Sequence, residues 1–227
     1  MRTIRTENLK ITVAGTESDP ICYVLYPLDV LGQWIEPAAA EYHISIAVIT
    51  GLDWNNDLTP WPAKGEPPGS PDFKGNAPEF LSRLVSKVLP TVESELHIAG
   101  NAERTLAGVS LSGLFTLWQW MICDTFRNII SLSGSFWYDS FVAWIKSRSL
   151  APKSGKAYFL LGDQEARTRV KAFQPVQTDT EDIVSYLSVR GIDAAFELVP
   201  GNHYQYAEQR LDRAFSRIFT PSSSNSR

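Results

Sequence analysis

The chain has 227 residues, of which 44% are hydrophobic, 20% charged and 11% aromatic, with a formal net charge of −4. That apolar share excludes a chain disordered through most of its length. The acidic balance argues against a nucleic-acid surface, and no apolar run nears the ~20 residues that span a bilayer.

The length suits one large domain, expected over 1–220, followed by a polar, disordered tail at 221–227. The segment Met1–Gly15 has Arg2 and Arg5 but no apolar region behind them, so no secretory signal is expected. Cys22 and Cys123 lie in apolar runs and read as buried, reduced thiols of a cytoplasmic protein.

In chain order, Leu9–Ala14 and Ile21–Leu28 read as strands joined by a short connection, hence as an antiparallel pair. Ile44–Thr50 is a third strand. Leu58–Pro78 is a Pro- and Gly-rich loop, long for the interior of a compact domain. Pro78–Leu96 shows the 3.6-residue period of a helix through Phe80, Leu81, Leu84, Val85 and Val88, and Pro90 should kink or end it. Thr105–Ser110 is a strand, and Leu111–Phe126 is apolar nearly all round, as a buried helix would be. Strands Asn128–Ser133, Ala157–Leu161 and Ala195–Val199 then alternate with helices Tyr138–Ile145, Thr180–Val189 and Tyr204–Phe219. The strands are near-continuous apolar runs, as in parallel sheets covered on both sides. The fold class is therefore α/β, a mostly parallel sheet with an antiparallel N-terminal strand and helices on both faces.

Ligands in such sheets bind beyond the carboxyl ends of the strands, so the residues following each strand carry the functional information. After Thr105–Ala107 comes Gly108-Val109-Ser110-Leu111-Ser112-Gly113 and then a helix. This approximates G-x-S-x-G, a sharp strand-to-helix turn that exposes a serine hydroxyl. Residues two before and two after the serine must be small. Gly108 meets that demand; Ser112 stands where glycine is usual. The Leu111 amide would sit at a helix N-terminus, where an oxyanion is stabilised.

Of three histidines, His43 and His97 flank elements and read as structural or solvated. His203 follows the last strand in Pro200-Gly201-Asn202-His203-Tyr204, at the carboxyl end of the sheet. Between Ser110 and His203, the strand Ala157–Leu161 runs into Gly162-Asp163-Gln164-Glu165, which offers Asp163 and Glu165 as an acid to orient the imidazole. Asp53-x-Asn55-x-Asp57 looks like the start of a calcium loop. Leu58 and Lys64 occupy the positions that need Gly and Glu, so no metal is expected. No motif implies a nucleotide or other cofactor.

Five segments together resemble the esterase branch of the α/β-hydrolases, which includes S-formylglutathione hydrolase, feruloyl esterases and siderophore (enterochelin) esterases. They are Asp53–Asp57 with Thr59-Pro60-Trp61-Pro62, Gly108–Leu111, Ser133-Gly134-Ser135-Phe136-Trp137, Gly162–Glu165 and Pro200–Tyr204. The resemblance implies an α/β-hydrolase fold, Ser110 as nucleophile, His203 as base and Glu165, ahead of Asp163, as acid. It also implies that the amide of Leu52 or of Asp53 joins that of Leu111 in an oxyanion hole. Trp54, Trp61, Phe136 and Trp137 are candidates for the substrate pocket. The implied function is a serine esterase acting on a small-molecule ester, a siderophore-type lactone among the options. An acyltransferase using the same groups, or a silent hydrolase fold that only binds, are the alternatives.

Overall fold

The structure, a computed structural model, describes residues 1–15, 20–149 and 153–220. Eight strands form one sheet: β1 Arg2–Thr6, β2 Leu9–Ala14, β3 Ile21–Leu25, β4 Ser45–Thr50, β5 Arg104–Val109, β6 Asn128–Leu132, β7 Lys156–Gly162 and β8 Asp193–Val199. Their order is β1-β2-β4-β3-β5-β6-β7-β8. Strands β3 to β8 are mutually parallel, and β1 and β2 run antiparallel at one edge. The tail expected to be disordered lies outside the described residues.

The antiparallel N-terminal strand is present, but its partner differs from the expected one. β2 pairs with β4, Val13 opposite Ala47, and β4 separates it from β3. All five residues of β3 are buried, and both its edges are taken by parallel neighbours, β4 and β5. A short connection therefore does not make a hairpin here. Gly15 lets the chain leave β2 close to the start of β4. Its φ is 104°, and a Cβ there would stand 2.7 Å from the Ile44 carbonyl oxygen. β1, which has no counterpart among the predicted strands, is an edge strand carrying Arg2 and Arg5 with only Ile4 buried.

Alternate residues of each strand feed two cores, as the period of two requires. Tyr23 and Leu25 of β3 face one side; Cys22 and Val24 face the other. The first side is covered by α3 Ala77–Arg83, α4 Leu89–Leu96, α5 Leu111–Ile122, α6 Phe141–Lys146 and α7 Val176–Ser188. The second is covered by α1 Gly32–Tyr42 and α8 Ala207–Phe219. In the naming used here α2 is the short helix Trp54–Asp57.

Three local outcomes differ from expectation. Residues 29–43 carry no predicted element, yet they form α1. Its buried side is Trp34, Ile35, Ala38 and Ala39, a helical stripe, and Pro37 lies on the exposed side. Trp34 Nε1 donates to Asp212 Oδ1 of α8 at 2.7 Å, and its ring meets Phe215 edge-on. Secondly, the helical run continues past Pro90, which lies in the first turn of α4. A π-helical turn at Leu84–Val88 joins α3 to α4, with Leu89 N–H bonded to the Leu84 carbonyl, and this widening accommodates the proline ring. Thirdly, α5 stops at Ile122, because Cys123 is extended; Cys123 is also partly exposed, whereas Cys22 is buried. Both thiols are free. His43 and His97 occupy left-handed C-caps of α1 and α4.

Gly15→Ala should destabilise the fold by about 1–3 kcal/mol, since the added methyl meets backbone rather than a yielding side chain. Gly100, which has open space around its Cα, provides the control. Thermal melts should show Gly15→Ala lowered by several degrees and Gly100→Ala nearly unchanged.

Candidate active site

The sheet has a topological switch at β3 and β5: the chain moves from β3 to β4 in one direction and returns to β5 on the other side. The crevice beyond the carboxyl ends of these strands is where ligands bind in open α/β sheets. Ser110 sits there, between β5 and α5, with φ 57° and ψ −121°. That conformation is unfavourable for a residue with a Cβ and persists only where the surroundings hold it. Ser110 N–H donates to the Leu132 carbonyl at 3.0 Å. Its own carbonyl accepts from the Leu114 and Ser135 amides at 3.0 and 3.1 Å.

The residues flanking the turn explain how it closes. A Cβ on Gly108 would stand 2.3 Å from the Ser112 carbonyl oxygen. Ser112, the departure from the usual glycine, is fully buried and bonded. Its Oγ accepts from the Val109 amide at 2.7 Å and lies 2.8 Å from the carbonyls of Leu25 and Val109. The hydroxyl thus reaches back to the residue before Ser110, as a capping-box side chain does, and touches the end of β3. Gly113 is the position that packs on the sheet, where a Cβ would meet Ser131 Oγ at 2.7 Å.

His203 and Glu165 meet across two loops. His203 Nδ1 lies 2.7 Å from Glu165 Oε2. Glu165 Oε1 accepts from Gly162 N–H at 2.7 Å, Ser133 Oγ at 2.6 Å and Arg210 Nη1 at 2.9 Å. An ionised carboxylate accepts only, so a neutral imidazole must donate through Nδ1 and leave Nε2 as the acceptor. The Glu165 side chain is 4% exposed. Burial alone would raise its carboxyl pKa. The bonds from His203 and Ser133, the His203 charge and the Gly162 amide outweigh this and hold it below the ordinary 4.5. Asp163 has a different role: its Oδ1 accepts from the Gly201 amide at 3.0 Å, tying the loop of Glu165 to that of His203.

Arg210, on the buried side of α8 and 5% exposed, has no counterpart among the sequence candidates. Besides Glu165 it donates to Ser133 Oγ at 2.9 Å and to the Asn202 carbonyl at 2.8 Å. One guanidinium therefore joins the loops after β6, β7 and β8. Gly162 makes room for it, since a Cβ there would stand 2.5 Å from Arg210 Nη2. An arginine on the apolar stripe of Leu211, Ala214, Phe215 and Ile218 was the available signal.

Ser110 Oγ has Ser135 Oγ at 3.3 Å, and the imidazole of His203 borders the same two cavities as Ser110. The first cavity, about 510 Å³, is lined by Tyr26, Leu28, Val30 and Trp54; the second, about 740 Å³, includes Trp137 and Phe173. Trp61 and Phe136, both pocket candidates, line neither cavity. Trp61 packs among Tyr138, Phe141 and Trp144 and donates Nε1 to the Asp139 carbonyl at 3.1 Å. Phe136 is 1% exposed and stacks on Phe141. Phe136 is thus a core residue, and Trp61 is half-buried against α6.

Leu52 and Asp53 follow β4. The Asp53 amide already donates to Asp57 Oδ2 at 3.1 Å, and Asp57 also pairs with Arg83. The carboxylates that mimic a calcium loop are thus engaged locally: Asp57 with the Asp53 amide and Arg83, Asp53 with the Asn56 side-chain amide. Among the described residues no group of three or more His, Cys, Asp or Glu could hold a metal ion, and no helix is long and apolar enough to cross a membrane.

A carboxyl with a lowered pKa contributes stability that is fully present above about 4.5 and is lost as pH falls through its folded value. Glu165→Gln should therefore cost about 3–5 kcal/mol at pH 7, where it leaves Arg210 buried without its counter-charge. The gap to wild type should narrow as the pH drops below 4.5. Urea unfolding of both proteins at pH 7 and at roughly pH 3.5 measures this.

The fold has known counterparts. Solved structures that align include an IroE-like serine hydrolase from Shewanella oneidensis, at TM-score 0.77 and 16% identity over 96% of this chain and 79% of that one. The enterobactin and salmochelin hydrolase IroE aligns at TM-score 0.71 and 20% identity, over 93% and 89%. The siderophore hydrolase EstB from Aspergillus nidulans aligns at 0.68 and 16%, over 97% and 95%. These likenesses establish the α/β-hydrolase fold. Among curated proteins, the uncharacterized protein YbbA of Bacillus subtilis (strain 168) is 26% identical over 162 residues, 69% of this chain and 65% of its own. The chain thus matches less than two thirds of that relative's length. The family model described as "Putative esterase" matches residues 29–218, and the chain belongs to that esterase family.

Proposed function

We propose that the protein is a serine carboxylic-ester hydrolase working through an acyl-enzyme, with Ser110 as nucleophile, His203 as general base and Glu165 as the acid that orients it. The observation that carries this reading is the strained Ser110 backbone at the strand-to-helix turn, beside the larger cavity that it borders together with the paired His203 and Glu165. Strain of this kind is kept at sites that use it. His203 Nε2 takes the Ser110 proton as Oγ attacks the ester carbonyl. The imidazolium is stabilised by Glu165, then returns the proton to the leaving alcohol, and water repeats the cycle on the acyl-enzyme.

The tetrahedral oxyanion needs two donors. The Leu111 amide is one, being at the first helical position without an intrahelical partner. For the second we choose Leu52 over Asp53, because an oxyanion at the Asp53 amide would compete with the Asp57 carboxylate. A siderophore lactone belongs in the substrate panel, given what the structural neighbours are named for. The two free thiols support a reducing, cytoplasmic setting.

A fluorophosphonate should add once to the wild-type protein, seen as a single mass increment, and not at all to Ser110→Ala. Ester turnover should fall at least ~10³-fold in Ser110→Ala and in His203→Ala. Full turnover by Ser110→Ala would overturn the assignment. Arg210 is a positioning residue in this scheme. Arg210→Met should lower kcat by roughly 10–100-fold with KM little changed, and Arg210→Lys should recover part of it. In a Glu165→Gln background Arg210→Met should add little, since the two act through one contact.

A further inference from the structure

Ser110, Ser133, His203 and Tyr204 border both cavities, so the reacting centre lies between two chambers of unlike character. The first is walled by Tyr26, Leu28, Val30 and Trp54, and Leu28 and Val30 remain 60% and 57% exposed at its mouth. The second carries Arg167 and Arg169 on the segment after Glu165. Among the described residues neither guanidinium has an ion pair or a side-chain hydrogen bond. The carboxylates bordering the same chamber are Glu66 and Glu165, and the charge of Glu165 is met by Arg210 at 2.9 Å. Two unpaired cations therefore face one uncompensated anion. Beside them Trp137 and Phe173 make an aromatic wall with ring centroids 4.4 Å apart.

We propose that the second chamber holds the carboxylate end of the substrate and the first its apolar end, so that the enzyme acts on esters joining an apolar group to a carboxylate-bearing one. This rests on the serine-hydrolase reading and narrows its substrate class. A guanidinium with free donors binds a carboxylate in a planar, two-pronged contact that a neutral ester cannot make. The site is open to solvent, so the preference is moderate and weakens with salt. An ester whose carboxylate reaches the arginines places its carbonyl over Ser110, with the apolar remainder against Trp54 and Tyr26.

The test uses the Ser110→Ala protein, which binds esters without consuming them, and calorimetric titration with three probes. Monophenyl glutarate carries its carboxylate on the acyl half, 3-butyryloxybenzoate carries it on the alcohol half, and phenyl butyrate is neutral. At least one anionic probe should bind ~10-fold or more tightly than phenyl butyrate at about 50 mM salt, and the ratio should shrink toward unity near 500 mM. Adding R167Q/R169Q should reduce that ratio to within about twofold. The proposal is overturned if neither anionic ester is preferred, or if the preference survives in R167Q/R169Q. Fluorophosphonate labelling of the wild-type protein is scored separately. Labelling at Ser110 without an anionic preference removes the substrate class and leaves the hydrolase; a preference without labelling leaves a carboxylate-binding chamber and removes the hydrolase, and with it the substrate class.

Discussion

The cost of burying the Glu165 carboxylate organises the carboxyl end of this sheet. At 4% exposure an ionised carboxylate must exchange water for fixed donors or lose its charge. Donors arrive from four places: Gly162 on its own loop, Ser133 after β6, Arg210 on α8 and His203 after β8. Each comes from a different turn of the chain, so satisfying one side chain sets the relative positions of three loops. Asp163 adds a second tie between two of them through the Gly201 amide. The imidazole is thereby held in one orientation, with Nδ1 engaged by the carboxylate.

The strained serine belongs to the same construction. A turn with φ near +57° at Ser110 is kept because β6, α5 and the loop after β6 each bond its backbone. Close packing at Gly108 and the Ser112 hydroxyl then leave the chain little freedom to relax. The loop Ser133-Gly134-Ser135 serves both halves. Ser135 supports the carbonyl of Ser110, and Ser133 supports Glu165. Ser110 and Glu165 are thus referenced to one common segment although they lie far apart in sequence.

The chambers on either side of Ser110 follow from the strand order. The switch between β3 and β5 opens a crevice that the Tyr26–Val30 segment and Trp54 wall on one side. The segment from Glu165 to Phe173 walls the other. The long Pro- and Gly-rich loop is divided: Glu66 and Pro67 border the second chamber, whereas Trp61 packs against α6. Large aromatic area next to an apolar helix is buried wherever the chain can reach it.

Much of this was readable in the residues. Apolar runs alternating with helical stripes specified a parallel sheet covered on both faces, because burial on two sides demands continuous hydrophobicity. The motif around Ser110, the His203 loop and the two acids after Ala157–Leu161 were located from local chemistry and chain order. Which acid meets the imidazole, which amide after β4 is free, and which aromatics border the cavities depended on distances between segments that sequence leaves far apart. The insertion of β4 between β2 and β3 is of the same kind, as pairing is decided by which strand has both edges to bury, not by connection length. Arg210 is the clearest case: along the chain it is a charge misplaced on an apolar stripe, and only the assembled loops supply the carboxylate, hydroxyl and carbonyl that make its burial favourable.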